Sequence, residues 1–538
     1  MEKRLIIAIG LSVLIIVGFN MMFPQAPPAP VKPSAVAPAK PGEAPPAAAT
    51  TTTSSSVPAN TSPAGLPVHT GPETLTKVDT DLYTAEISSS GGVIKSWRLK
   101  KYKDTAGNPL EMVVYPDGMK PLVVVPEGTT WQEAQGYAYS CDSKSLELTG
   151  KDQEGVLHFS YRGQDGRSIQ KTIKFKNGTY AAGLDVDAQG YKGYSVYMGE
   201  SFGSMTAKDK KGYGTVGPLV FMDGKRYPES GIIHWIGLKL GTSKPEAEGT
   251  TVEYKGKKGW AAIEDKYFMA AILPSDGIKA VIGKGASDWG FVGVTVPYDG
   301  GGPKMNAEFY AGPKQLDRLK AIGGDLDRAV DFGMFTFFAK PLFVALKFFY
   351  DLVGNYGWSI IIITVIIKLL FAPLTHKSQK SMKRMQKLQP LFAELKEKFK
   401  GDPQKLNREM MELYKKHKVN PMSGCLPMLI QIPVFIALYN VLNNAIELRR
   451  APFAFWLQDL SLKDPYYVLP IMMGLSMLAM QKMTPTSADP NQNKIMMLMP
   501  VFLTFMFISL PSGLVLYFTV SNLLSMAQQV YINKYSND

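Results

Sequence analysis

The chain has 538 residues, a formal net charge of +13 and 45% hydrophobic residues. It is too long for one small domain, and its two cysteines allow at most one internal disulfide. The mean hydropathy is near zero. That average excludes neither a soluble nor a membrane protein, because polar and very apolar segments cancel, so each segment is read separately.

Lys3 and Arg4 precede Leu5 to Phe23, an uncharged stretch long enough to cross a bilayer, read as a retained anchor over 1–23 with its amino end inside. Residues 24–71 are rich in Pro, Ala, Thr and Ser and cannot bury a core, so they form a flexible linker. Over 72–325 the pattern changes to period two. Leu157, Phe159 and Tyr161 alternate with His158, Ser160 and Arg162, and Asp165-Gly166 and Asn177-Gly178 punctuate the strands Ser168 to Lys176 and Tyr180 to Asp187. This predicts a large antiparallel β-sandwich.

Residues 326–356 hold an aromatic-rich run, Phe332 to Tyr350, expected to be an interfacial amphipathic helix broken at Pro341. Over 357–538, apolar stretches recur at about 358–375, 425–448, 467–483, 495–510 and 513–532, which with the anchor makes six spans. The loop His376 to Gly424 carries thirteen Lys or Arg against five Asp or Glu, so it falls inside and the β domain outside. Arg449, Arg450 and Lys463 land outside as a mild exception. The two cysteines, Cys141 and Cys425, fall on opposite sides of the membrane and are read as small buried apolar residues.

The basic loop is patterned. Met385, Leu388, Phe392, Leu395 and Phe399, then Leu406, Met410 and Leu413 beyond Gly401-Asp402-Pro403, predict two antiparallel helices in a cytoplasmic hairpin, with Pro390 interrupting the first. Its solvated cations include Lys383, Arg384, Lys387, Lys396, Lys398, Lys400, Lys415 and Lys416. They serve topology and attraction to anionic lipids, or docking of a ribosome or another acidic partner; both readings stay open.

Lys368 sits near the middle of its span, roughly 12 Å along the helix from His376. An ammonium there costs about 2.5–3.5 kcal/mol on insertion scales, so it should face water or a partner rather than lipid. The other spans offer Thr364, Gln431, Asn440, Gln481, Thr504, Asn522 and Gln528, enough polar groups to line a hydrated groove. Helix-to-helix hydrogen bonding is the alternative use for them. Pro470 and Pro500 lie in two short spans that could thin the surrounding bilayer, and the methionines after Met422 could adapt to varied apolar clients.

GNYGWSIIIITVIIKLLFAPLT, KVNPMSGCLPMLIQIPVFIALYNVL, LRRAPFAFWLQDLSLKDPYYVLPIMMG and LMPVFLTFMFISLPSGLVLYFTVSNLLS together resemble the YidC, Oxa and Alb insertases. The likeness covers the carboxyl-terminal 200 or so residues strongly, and the anchor, linker and external domain match the Gram-negative layout. It implies a multi-domain membrane protein: a periplasmic antiparallel β-supersandwich and an α-helical transmembrane bundle with a five-helix insertase core and cytoplasmic hairpin. It implies a groove open to the cytoplasm and inner leaflet, closed outside, through which nascent membrane proteins enter, alone or with the Sec translocon, with no cofactor. The apolar part of a client would leave between the third and fifth spans. Many relatives have arginine where this chain has Lys368, so a point charge stands in for a planar fork. Two other functional classes would make different demands on the sequence. A transporter would place acidic groups or paired broken repeats at mid-membrane, and neither is present. A carbohydrate-binding or enzymatic external domain would use His158 or His234.

Overall fold

The computed structural model describes residues 72–538 except 105, 115–117, 201, 203–216, 228–250, 285–289, 298–301, 400–401, 418, 420–425, 484–489 and 536–538. The anchor, the linker, His234, Lys400 and Cys425 lie outside the described residues.

Alternating apolar residues build the β domain from three sheets of five, nine and five strands. In the nine-stranded sheet, Glu154–Arg162, Ser168–Lys176 and Ala181–Gln189 pair antiparallel in sequence order. The short turns between them, residues 163–167 and 177–180, place Gly166 at φ +82° and Gly178 at φ +81°, left-handed positions that favour glycine. Leu157 and Phe159 are wholly buried, as their alternation predicts. One pairing departs from the antiparallel expectation: Leu75–Thr80 runs parallel to Ser145–Leu148. The long stretch of chain between those two strands supplies the crossover that a parallel pair requires.

The core is aromatic. Trp97 stacks on Tyr83 at 4.1 Å and its indole N–H donates to the Ala311 carbonyl at 3.1 Å, so its one polar atom is satisfied. Lys171 is also fully buried; its ammonium donates to the carbonyls of Gly92 and Leu122 at 2.6 and 2.7 Å and lies over the Tyr139 ring.

Ten helices are described: α1 (Trp131–Gln135), α2 (Leu316–Ile322), α3 (Thr336–Val353), α4 (Tyr356–Lys387), α5 (Gln389–Lys398), α6 (Pro403–Lys416), α7 (Leu426–Asn444), α8 (Val468–Met483), α9 (Pro490–Phe507) and α10 (Ser512–Tyr535). α3 is continuous through Pro341, unlike the expected broken helix. The missing N–H costs only the bond to the Phe337 carbonyl on the exposed side, while burial of Ala339, Phe343 and Leu346 holds the opposite face. Phe337, Val344, Phe348 and Leu352 remain exposed, so α3 is apolar on two faces.

Residues Tyr356–Met385 of α4 are long and apolar enough to cross a membrane by length and composition; Val468–Met483 and Met497–Phe507 are shorter apolar stretches. Leu370 of α4, Leu475 of α8 and Phe505 of α9 are between 62% and 77% exposed, an exterior that suits lipid and not water. α4 continues without a break past His376 and ends only at Lys387, just before Pro390, which sits in the first turn of α5. Leu388, Phe392 and Val419 then form a small buried cluster with Met385, Met410, Leu413 and Tyr414. Lys383 points inward, donating to the Ile532 carbonyl at 2.8 Å, whereas Arg384, Lys387, Lys396, Lys398, Lys415 and Lys416 are exposed.

The β domain is fastened to the helices by the segment after α7. Arg449 donates to the Lys103 carbonyl at 3.1 Å and lies over the Phe268 ring, and Arg450 donates to the Asp104 carbonyl at 2.6 Å. Lys347 of α3 pairs with Asp317 of α2. The two arginines that break the charge asymmetry of the loops thus have a structural task.

Candidate functional site

The site is a polar seam where α4, α7 and α10 meet. On α10, Tyr517, Ser521, Ser525 and Gln528 recur at helical spacing and form one stripe. Thr364 and Lys368, one turn apart, supply the stripe of α4, and Gln431 supplies that of α7.

Lys368 Nζ donates to Ser525 Oγ at 2.8 Å, and Ser525 in turn donates to the Ser521 carbonyl at 2.9 Å. The Gln431 amide donates to the Tyr517 hydroxyl and, at 3.4 Å, to Ser521 Oγ. Gln528 reaches the Ala372 carbonyl at 3.4 Å. Neither α4 nor α10 contains an Asp or Glu, so Lys368 is held by a neutral hydroxyl and keeps its positive charge unneutralised by these helices.

Burial along the seam is graded. Thr364, Tyr517 and Ser521 are 1–3% exposed, with Ser359, Leu514 and Val441 sealed around that end. Lys368, Ser525 and Gln528 are half-buried. Beyond them a cavity of about 430 Å³ opens beside Lys368, His376, Gln528 and Tyr531. The seam is closed at one end and open at the end nearer α5 and α6.

Of the residues expected in a groove, Lys368, Thr364, Gln431 and Gln528 come together here, with the Thr364 hydroxyl spent on its own helix through the Ile360 carbonyl at 2.6 Å. Asn522 turns to α8, its amide 3.4 Å from Ser476 Oγ. Thr504 donates to the Pro500 carbonyl at 2.7 Å and packs against Gly474 so closely that a Cβ there would meet its hydroxyl. Gln481 is half-buried near the end of α8. Asn440 does not join the seam: its amide donates to the Phe332 carbonyl at 2.7 Å, and Asn444 does the same for Asp331 at 2.8 Å. Those carbonyls lead into α3, and capturing them fixes how α3 meets α7.

Ser525 and Tyr517 were not singled out from the sequence. The signal was present as the spacing of Tyr517, Ser521, Ser525 and Gln528, a polar period of one helical turn inside an apolar stretch. In the β domain, the exposed His158 ring bonds Thr172 Oγ1 at 3.0 Å.

Residues 75–345 match the family model for the YidC periplasmic domain, and residues 348–538 match that for the 60Kd inner membrane protein. The chain is 42% identical to the membrane protein insertase YidC of Geotalea daltonii, covering 99% of both chains. This chain belongs to the YidC family of membrane protein insertases. A second relative of the same name, from Oleidesulfovibrio alaskensis, is 40% identical over 98% of both chains. Among solved structures, an active YidC insertase is 19% identical with a TM-score of 0.38, covering 86% of this chain and 95% of that one. Family membership makes membrane protein insertion the activity, in the inner membrane, with the β domain in the periplasm. The family's named work is insertion and not the chemical transformation of a substrate.

Proposed function

We propose that the seam between α4, α7 and α10 is the groove through which client segments enter, open to the cytoplasm and closed toward the periplasm. The observation that carries this reading is the burial gradient from Tyr517 to Gln528. With the periplasmic domain joined to the amino-terminal side of α4, the sealed end of the seam lies on the periplasmic side and the cavity faces the basic α5–α6 region. The topology is six spans, counting the amino-terminal stretch, with both termini, α5 and α6 in the cytoplasm.

In this mechanism the polar tail of a client rests in the groove while its apolar segment partitions into lipid. Lys368 and the hydroxyls of Ser521 and Ser525 replace part of the tail's hydration, lowering the cost of bringing polar groups to mid-depth. Apolar burial at about 25 cal/mol per Å² drives the segment outward, and over a whole span it outweighs the transfer of a short tail. Lys368 favours acidic tails by charge. The exit lies between α7 and α9, whose Phe435 and Phe507 rings approach to 6.2 Å. Arg384, Lys387, Lys396, Lys398, Lys415 and Lys416 form the basic surface for a ribosome, and the Sec translocon is a partner for larger clients.

The test is protease protection of a freshly synthesised single-span client added to liposomes containing only this protein. Protection above that in empty liposomes supports autonomous insertion; none, with correctly folded protein, overturns it in favour of an accessory chaperone.

A further inference from the structure

The cavity at the open end of the seam has a composition that a water-filled passage does not require. Val365, Leu369 and Ala372 of α4 and Leu524 and Ile532 of α10 give it apolar walls, and its polar groups are confined to Lys368, His376, Gln528 and Tyr531. Its rim is not turned into the bundle: Leu369 is 68% exposed and Tyr531 63%, continuous with the exposed Ile366 and Leu370 on the lipid-facing surface of α4. The cavity therefore opens sideways toward lipid as well as along the seam.

Its charge is of one sign. α4 carries Lys368, Lys377, Lys380, Lys383, Arg384 and Lys387, α10 carries Lys534, and neither helix has an acid. Lys368 has three donors, of which Ser525 takes one. An occupant with an anionic head at His376 and an apolar tail along Ala372, Leu369 and Leu524 matches these walls. We infer that the crevice between α4 and α10 is a binding site for an anionic phospholipid of the inner leaflet. The phosphate sits beside His376 and Lys377, and an acyl chain runs inward past Leu369 toward Leu524.

This inference rests on the groove reading for which side of the membrane the crevice faces. A bound lipid there deepens that reading, because it occupies the open end of the groove until a client displaces it.

The experiment uses the full chain in vesicles of phosphatidylcholine containing a trace of phosphatidylglycerol with a photoreactive acyl chain, or the same label on phosphatidylcholine. Labelled peptides are mapped by mass spectrometry. The phosphatidylglycerol probe is expected to label the α4 and α10 segments around Leu369 and Leu524, and unlabelled phosphatidylglycerol to compete. Ala372→Trp, which fills the cavity, and His376→Glu, at an exposed position, should each lower that labelling roughly tenfold. Equal labelling by both probes, or labelling untouched by both variants, overturns the site. Insertion of a client by the same vesicles is read separately: insertion without crevice labelling removes only the lipid site, and labelling without insertion removes only the autonomous insertase.

Discussion

Lys368 and Ser525 are bonded at 2.8 Å across α4 and α10, so the charge inside the apolar part of α4 is held by a hydroxyl and not by a carboxylate. A carboxylate would have fixed and neutralised it. A hydroxyl satisfies one donor and leaves the charge available to whatever enters the proposed groove.

Reversing that charge should discriminate among clients. Lys368→Glu is expected to reduce insertion of clients with acidic tails by about tenfold while Lys368→Arg retains it, since charge and not hydrogen-bonding shape is required. Protease-protection yields for acidic-tailed and neutral-tailed clients check this; equal insertion by all three versions would remove Lys368 from the mechanism.

The Lys368–Ser525 bond also has a measurable energy. Ser525→Ala is expected to destabilise the intact protein by about 1.5–3 kcal/mol, the range for a hydrogen bond to a charged group. In a Lys368→Met background the same change should cost little. Thermal unfolding of the four proteins in one detergent gives the coupling, and additive effects would mean that the bond contributes nothing.

Arg449 and Arg450 should govern how firmly the periplasmic domain is seated. Arg450 holds a left-handed backbone at φ +57°, a conformation that a non-glycine residue keeps only when its surroundings enforce it. Replacing both arginines by alanine should raise amide exchange around Lys103 and Asp104 while leaving the strand Ser168–Lys176 protected. Unchanged exchange at Lys103 would show that Lys347–Asp317 and the Asn440 and Asn444 bonds suffice.

Burial pushes the Lys171 ammonium down to about 7. Its unfolded value is about 10.4, so between these values the unfolded chain binds more protons and stability rises with pH. The periplasmic domain should resist denaturant better at pH 9 than at pH 7. Lys171→Met should flatten that slope, read from amide protection of Ile173 in the full chain. A slope that persists in the variant would assign it to another group.

Legibility followed the range of the interactions. The strand pair Ser168–Lys176 and Ala181–Gln189 could be read within two residues because alternation and the Gly166 and Gly178 turns are local signals. The parallel pairing of Leu75–Thr80 with Ser145–Leu148 could not, since nothing local encodes a partner so far along the chain. Lys368 stood out because a charge in an apolar run is costly wherever it goes. Its partner Ser525 did not, because a serine costs little in a helix. Asn440 misled for the related reason that an amide in an apolar helix calls for a partner without naming it, and that partner proved to be the Phe332 carbonyl. Arg449 and Arg450 looked like exceptions to a charge rule until the Lys103 and Asp104 carbonyls supplied the reason.

The graded seam is tested most directly by single cysteines placed in turn at Tyr517, Ser521, Ser525 and Gln528, in a chain whose Cys141 and Cys425 are serine, probed with a membrane-impermeant maleimide from either side. The groove account predicts labelling at 528 and 525 from the cytoplasmic side, little at 521 and 517, and none from the periplasmic side. Labelling at 517 from the periplasm, or none at 528 from the cytoplasm, would contradict it.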